Sequence, residues 1–262
     1  MRKNELKKRM AEGVQALNGW IAVPNSFQAE VYASCGWDSV TVDMQHGAAD
    51  INDLIGLLQA IQINNVTAMV RVPWNEPSVI MRALDAGAYG IICPMINTKA
   101  EAEAFVSAGR YPPLGARSNG PFRASQFAGT DYQPHANEEV QLFAMIETRE
   151  AMKNLDAILK VKGLDGIYVG PTDLALSMGK PATLDPVDVE VVEAMKTIAT
   201  KTRAAGKIAG AHTDGPKTAH KRFADGYHFA TLLNDVRVLA MGATNWIREA
   251  RGEKKVAASK SY

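Results

Sequence analysis

The strongest constraint on this chain is a rhythm: short apolar runs recur from end to end, each separated from the next by a longer stretch with helical periodicity. Eight runs can be counted, at 19–23, 39–43, 67–72, 90–94, 141–147, 166–169, 207–211 and 227–230. They are rich in Val, Ile, Phe, Tyr and Ala and nearly unbroken in their apolarity, as strands covered on both faces must be. Such alternation predicts βα units and a parallel sheet. Eight units within 262 residues is the number that closes a (β/α)8 TIM barrel. The competing doubly wound sheet would carry a glycine-rich phosphate loop after its first strand, and Pro24-Asn25-Ser26 is not one.

Local signals agree with this α/β reading. Asp50-Ile51-Asn52-Asp53 and Pro77 open helices, while Ala86-Gly87 and Ala205-Gly206 close them. A polar amphipathic helix is expected near the N-terminus, so a single barrel domain over 1–252 is followed by a tail at 253–262. The stretch 109–139, with Tyr111-Pro112-Pro113-Leu114-Gly115, is too long and irregular for a simple αβ connection and is expected to be a functional loop.

Charge narrows the partners. Lys and Arg together number 29 against 28 Asp and Glu, so the chain lacks the basic field that binds nucleic acid or anionic lipid. No stretch approaches the ~20 apolar residues of a membrane span. Cys35 and Cys93, both in apolar contexts, are expected to be reduced thiols in a core, which points to the cytoplasm. A small-molecule partner is favoured.

In a barrel the chemistry gathers at the C-terminal ends of the strands, which singles out Asp43, Gln45, His46, Arg71, Glu147, Gly170-Pro171-Thr172-Asp173 and His212. Glu147 and Asp173 follow neighbouring strands, and two carboxylates suit a hard divalent cation such as Mg2+ or Mn2+. Equally, Glu147 could pair with Arg149, and Asp173 could cap a helix starting at Leu174. Arg71 stabilises a developing oxyanion or forms a structural salt bridge to Asp43 or Glu147. His46 is the best general base, with a neighbouring carboxylate to hold its tautomer, although a structural histidine fits the spacing too. His212 has no evident partner and no role; His135, His220 and His228 read as surface or packing residues. Trp20 and Trp74 either wall the pocket or fill a core.

Taken together, Val42-Asp43-Met44-Gln45-His46-Gly47, Val70-Arg71-Val72-Pro73, Met145-Ile146-Glu147-Thr148, Asn154-Leu155-Asp156 and the run from Gly166 to Leu174 resemble the HpcH/HpaI family of class II aldolases. The resemblance is close to full length, and Leu84-Asp85-Ala86-Gly87-Ala88 and the run from Arg110 to Arg117 fit it as well. It implies a divalent metal (Mg2+, Mn2+ or Co2+) on Glu147 and Asp173 that stabilises a pyruvate enolate as a Lewis acid. Arg71 would then stabilise the enolate or alkoxide oxygen, and His46 would be the base. Gly170, Pro171 and Thr172 would receive the substrate carboxylate at a helix N-terminus, with Trp20 and Arg117 also in the substrate-binding set.

The implied reaction is retro-aldol cleavage of a 4-hydroxy-2-oxo acid to a keto acid, pyruvate or hydroxypyruvate, and an aldehyde. Family members are homo-oligomers, trimers or hexamers, in which a neighbouring subunit completes the site. The residue matching Asp85 tunes the histidine there, a task Asp43 could serve within one subunit. This chain has Gln45 where many members have Glu, Met145 where some have Gln, and Thr172 where those have Ala. A keto-acid-binding barrel without activity is the reading that Gln45 and Met145 motivate. A lyase acting on a CoA thioester shares the barrel, but it would be expected to bring a further C-terminal domain or a basic adenine-binding patch.

Overall fold

The computed structural model describes residues 1–253. Its eight strands are β1 (Ala16–Ile21), β2 (Ser39–Asp43), β3 (Thr67–Arg71), β4 (Gly90–Cys93), β5 (Gln141–Ile146), β6 (Gly166–Val169), β7 (Ile208–Thr213) and β8 (Phe229–Leu232). They pair in parallel in sequence order, and β8 returns to β1 through Ala16 opposite Phe229, which closes the barrel. The helices are α1 (Glu5–Ala11), α2 (Ser26–Ala33), α3 (Leu54–Gln62), α4 (Pro77–Asp85), α5 (Lys99–Gly109), α6 (Phe122–Ala128), α7 (Tyr132–Glu139), α8 (Arg149–Leu159), α9 (Pro171–Ser177), α10 (Val189–Ala204), α11 (Pro216–Ala224) and α12 (Asp235–Ala250). The helices expected from their start and stop signals are present. Pro77 occupies the first turn of α4, and Gly87 (φ 102°) and Gly206 (φ 68°) follow the C-caps of α4 and α10 in the left-handed conformation.

Two shells of side chains hold the barrel. Outward-facing residues such as Val40, Val42, Ala68, Val70, Ile91, Leu142 and Ile167 are fully buried under the helices, which explains the unbroken apolar runs. Inward-facing Trp20, Met69, Ile92, Phe143, Met145, Tyr168 and Phe229 fill the interior, and Leu6 and Met10 of α1 join them from the N-terminal end. The interior also holds a polar chain. Asn18 Oδ1 accepts from Ser39 Oγ at 2.8 Å and Thr41 Oγ1 at 3.1 Å, and Asn18 Nδ2 donates to Thr231 Oγ1 at 2.8 Å.

Several expectations are corrected. β1 begins at Ala16 and not at residue 19, because small Ala16 and polar Asn18 face inward and interrupt the apolar signal. β8 starts two residues late, since Tyr227 packs outside the sheet with its hydroxyl donating to the carbonyl of Met195. The segment 109–139, expected to be a functional loop, is partly helical. It contains α6 and α7 and precedes β5, so it lies at the N-terminal end of the barrel, where Tyr89, Tyr111 and Tyr132 form a separate apolar cluster. Cys93 is buried as expected, but Cys35 is exposed in the turn after α2. Trp74 is 58% exposed and is not a core residue. Most of the tail expected at 253–262 lies outside the described residues.

Candidate active site

Parallel pairing sets Asp43 directly opposite Arg71 at the C-terminal ends of β2 and β3. The side chains form a bidentate pair, Arg71 Nε donating to Oδ1 at 2.9 Å and Nη2 to Oδ2 at 2.6 Å. Trp20 Nε1 donates to Oδ2 at 3.1 Å, and the backbone N–H groups of Gln45 and His46 donate to Oδ1. Burial alone would push the Asp43 carboxyl up, but the Arg71 hydrogen bonds and charge, then Trp20, hold it below the usual carboxylate range. The guanidinium lies over the Trp20 ring, 4.8 Å from its centroid. Of the two salt bridges the spacing allowed for Arg71, the one to Asp43 forms. It leaves Nη1 without a protein hydrogen bond among the described residues, free to meet a substrate oxygen.

Glu147 follows β5 and is 3% exposed. Its Oε1 accepts from the backbone N–H of Met95 at 2.8 Å, an amide turned inward by a left-handed backbone at Met95 (φ 55°) just past β4. Its Oε2 sits against Gly170, where an added Cβ would stand 2.5 Å away. Arg149, the alternative partner, instead bonds Glu190. Burial, and then the neighbouring Asp173 charge, push the Glu147 carboxyl up to about 7 against the opposing pull of the Met95 N–H and Arg71. Asp173 is exposed in the first turn of α9, whose N-cap is Gly170, so it does not cap that helix. The Oγ1 of Thr172 is buried with no hydrogen-bond partner among the described residues.

These features fit a hard divalent cation. The Asp173 charge adds to the cost of ionising the buried Glu147, both side chains offer only oxygen donors, and Thr172, next to Asp173 in sequence, carries a hydroxyl unpartnered among the described residues. Among the described residues there is no cluster of three or more His, Cys, Asp or Glu, so water and substrate oxygens would complete the coordination.

The remaining candidates divide by position. His46 is exposed beside the Asp43–Arg71 pair, but Asp43 engages its backbone N–H, and no described carboxylate contacts its ring. The expected carboxylate–imidazole contact within one subunit is therefore not made. Trp20 is 1% exposed, so it forms the floor under Arg71 and not a pocket wall. Asp85 ends α4 at the N-terminal side of the barrel, where it accepts from Arg117 Nη2 at 2.6 Å. Arg117 also donates to Tyr132 Oη and stacks on Tyr111 and Tyr132. Within one chain, then, neither Asp85 nor Arg117 reaches the mouth.

Sequence reasoning missed the company of His212 at the end of β7. Its Nδ1 lies 3.1 Å from the hydroxyl of Tyr168, which donates to Thr231 Oγ1 at 2.6 Å, and its ring meets Trp20 edge-on. These partners lie on other strands, and no local signal announces them.

Residues 19–240 match the family described as HpcH/HpaI aldolase/citrate lyase. This chain belongs to that family. It is 42% identical over 248 residues to a hydroxypyruvate/pyruvate aldolase of Rhizorhabdus wittichii, covering 95% of this chain and 99% of that protein. It is 38% identical to a 4-hydroxy-2-oxovalerate aldolase of Rhodococcus jostii, over 90% of this chain and 92% of the relative. Among solved structures, a family protein from Burkholderia cenocepacia superposes with a TM-score of 0.89 at 30% identity, covering 95% of this chain and all of that one. The HpcH/HpaI chain is thus an aldolase, a carbon–carbon lyase on a (β/α)8 barrel.

Proposed function

We propose that this aldolase cleaves and forms 4-hydroxy-2-oxo acids, with pyruvate or hydroxypyruvate as the keto acid and an aldehyde as its partner. The observation that carries the reading is the buried Glu147 carboxylate, held beside Asp173 and within the electrostatic reach of a rigidly paired Arg71. A divalent cation on Glu147 and Asp173, with Mg2+, Mn2+ and Co2+ as candidates, would supply Lewis-acid stabilisation of charge developing on the keto oxygen.

The protein's own groups supply the rest. Asp43 and Trp20 fix Arg71 so that Nη1 meets the same developing charge without reorganising. His46 takes the proton of the C4 hydroxyl as the C3–C4 bond breaks, the aldehyde leaves, and C3 then receives a proton. The substrate carboxylate fits the start of α9, where the N–H groups of Thr172 and Asp173 have no intrahelical acceptor.

A homo-oligomer, trimer or hexamer, is part of the proposal. Within one chain the His46 ring lacks a carboxylate, which a neighbour's Asp85 would supply, and α12 exposes Leu239, Trp246 and Ile247. None of the described helices is long and apolar enough to cross a membrane, and a cytoplasmic setting suits the unpaired Cys35 and Cys93. The test is exchange of the C3 protons of pyruvate and hydroxypyruvate in D2O, followed by NMR with Mg2+. Glu147→Ala and Asp173→Ala are each expected to abolish it, and full activity in excess EDTA refutes the metal-dependent reading.

A further inference from the structure

We propose that His212 is a specificity-determining residue whose Nε2 receives a hydroxyl group carried by the substrate, with the polar chain inside the barrel fixing the ring for that contact. The proposal rests on the aldolase reading of the same mouth.

His212 closes the inward face of β7 opposite Thr231 of β8. Its ring stands edge-on to Trp20 at 5.0 Å between centroids, and Trp20 in turn carries Arg71 on its face. The imidazole is therefore one ring removed from the cation that would meet the keto oxygen. Nδ1 is occupied by Tyr168, behind which Thr231, Asn18, Ser39 and Thr41 continue the chain through contacts of 2.6–3.1 Å. Asn18, Ser39, Thr41 and Thr231 are fully buried.

A buried polar chain is costly unless its members satisfy one another, and when satisfied it holds a single arrangement. Ser39 and Thr41 occupy the Asn18 carbonyl, which turns its amide to Thr231. The chain ends at His212, whose Nε2 has no protein partner among the described residues. Burial, with Arg71 nearby, pushes the imidazole down to about 3, so it stays neutral and is no base. A neutral ring with Nδ1 engaged offers one hydrogen-bonding position and no charge. With the Tyr168 proton given to Thr231, Nδ1–H donates to Tyr168 and Nε2 is left an acceptor, which suits an alcohol donor better than a carboxylate or phosphate. Two sources of the hydroxyl are open: the C3 hydroxyl of a hydroxylated keto acid and the hydroxyl of a hydroxyaldehyde.

The experiment compares kcat/KM for hydroxypyruvate against pyruvate, and for glycolaldehyde against propanal, in wild type, His212→Leu and Tyr168→Phe. His212→Leu is expected to lose about tenfold on the hydroxylated member of one pair only, the size of one lost neutral hydrogen bond. The pair affected identifies the source. Tyr168→Phe, which leaves the imidazole in place but unfixed, is expected to lose less on the same compound. Equal losses on both members of each pair, or none, overturn the proposal.

In parallel, 15N NMR of histidine in the Mg2+-loaded wild type should show the His212 Nε2 signal moving with the hydroxylated ligand and not with its plain counterpart. A signal indifferent to both also overturns the proposal, and this readout stands if His212→Leu does not fold. Absence of C3 proton exchange in the wild type would instead fail the aldolase reading, while the 15N signal still reports whether His212 meets a hydroxyl.

Discussion

At the scale of single residues, Asp43 and His212 are each held in one state at the mouth. Asp43 accepts from Arg71, Trp20 and two backbone amides, so it is ionised and cannot rotate. His212 is held neutral, and that has a measurable consequence. Its folded value of about 3 lies below the ordinary 6.5. Above about 6.5 the ring is neutral whether the chain is folded or not. Below that, the unfolded chain binds a proton that the folded chain refuses, so stability falls as pH drops from 6.5 towards 3. His228, also depressed by burial, adds in the same direction. Asp43 acts only at lower pH, because its stabilisation is lost on falling through a value already below that of a free carboxylate. Urea denaturation at pH 7 and pH 5 is expected to show a smaller loss of stability in His212→Leu than in wild type. The slope removed would be at most about 1.4 kcal/mol per pH unit, and identical losses would count against an imidazole held neutral.

At the scale of elements, three strand ends cooperate around Glu147. The left-handed turn after β4 aims the Met95 amide at Oε1, β5 delivers the carboxylate, and Gly170 after β6 leaves room for Oε2. Gly170 has φ −94° and ψ 95°, which alanine adopts without strain, so its smallness answers to space alone. Gly170→Ala is therefore expected to fold with a Tm close to wild type yet to lose at least tenfold in Mg2+-dependent C3 proton exchange, because the new methyl displaces the carboxylate. Unchanged exchange would show that Oε2 does not need that position.

The strands and their order were legible because parallel strands buried on both faces write themselves as apolar runs, and Asp43 was readable as a partner of Arg71. The Met95 amide was not legible, because backbone direction after a strand leaves no trace in side-chain pattern. Nor was the Tyr168–His212 contact, which joins residues 44 positions apart across the barrel interior.

At the scale of the whole molecule, the two ends of the barrel have different work. The Asp85–Arg117 pair, drawn into the site by family resemblance, sits with α6 and α7 at the N-terminal end, so it serves a mouth only if that mouth belongs to another copy. Helix α12 supports such an assembly: among its residues only Asp235 is buried, and Trp246 is 77% exposed. Trp246→Glu is expected to shift sedimentation velocity profiles towards smaller species, and an unchanged profile would place the interface elsewhere.

The N-terminal end is also stoppered, since Leu6 and Met10 of α1 pack into the same interior cluster as Trp20 and Tyr168. The barrel is consequently a cup and not a tube. Whatever reaches the site therefore enters and leaves through the one open end, the mouth lined by Asp43, Arg71 and Glu147.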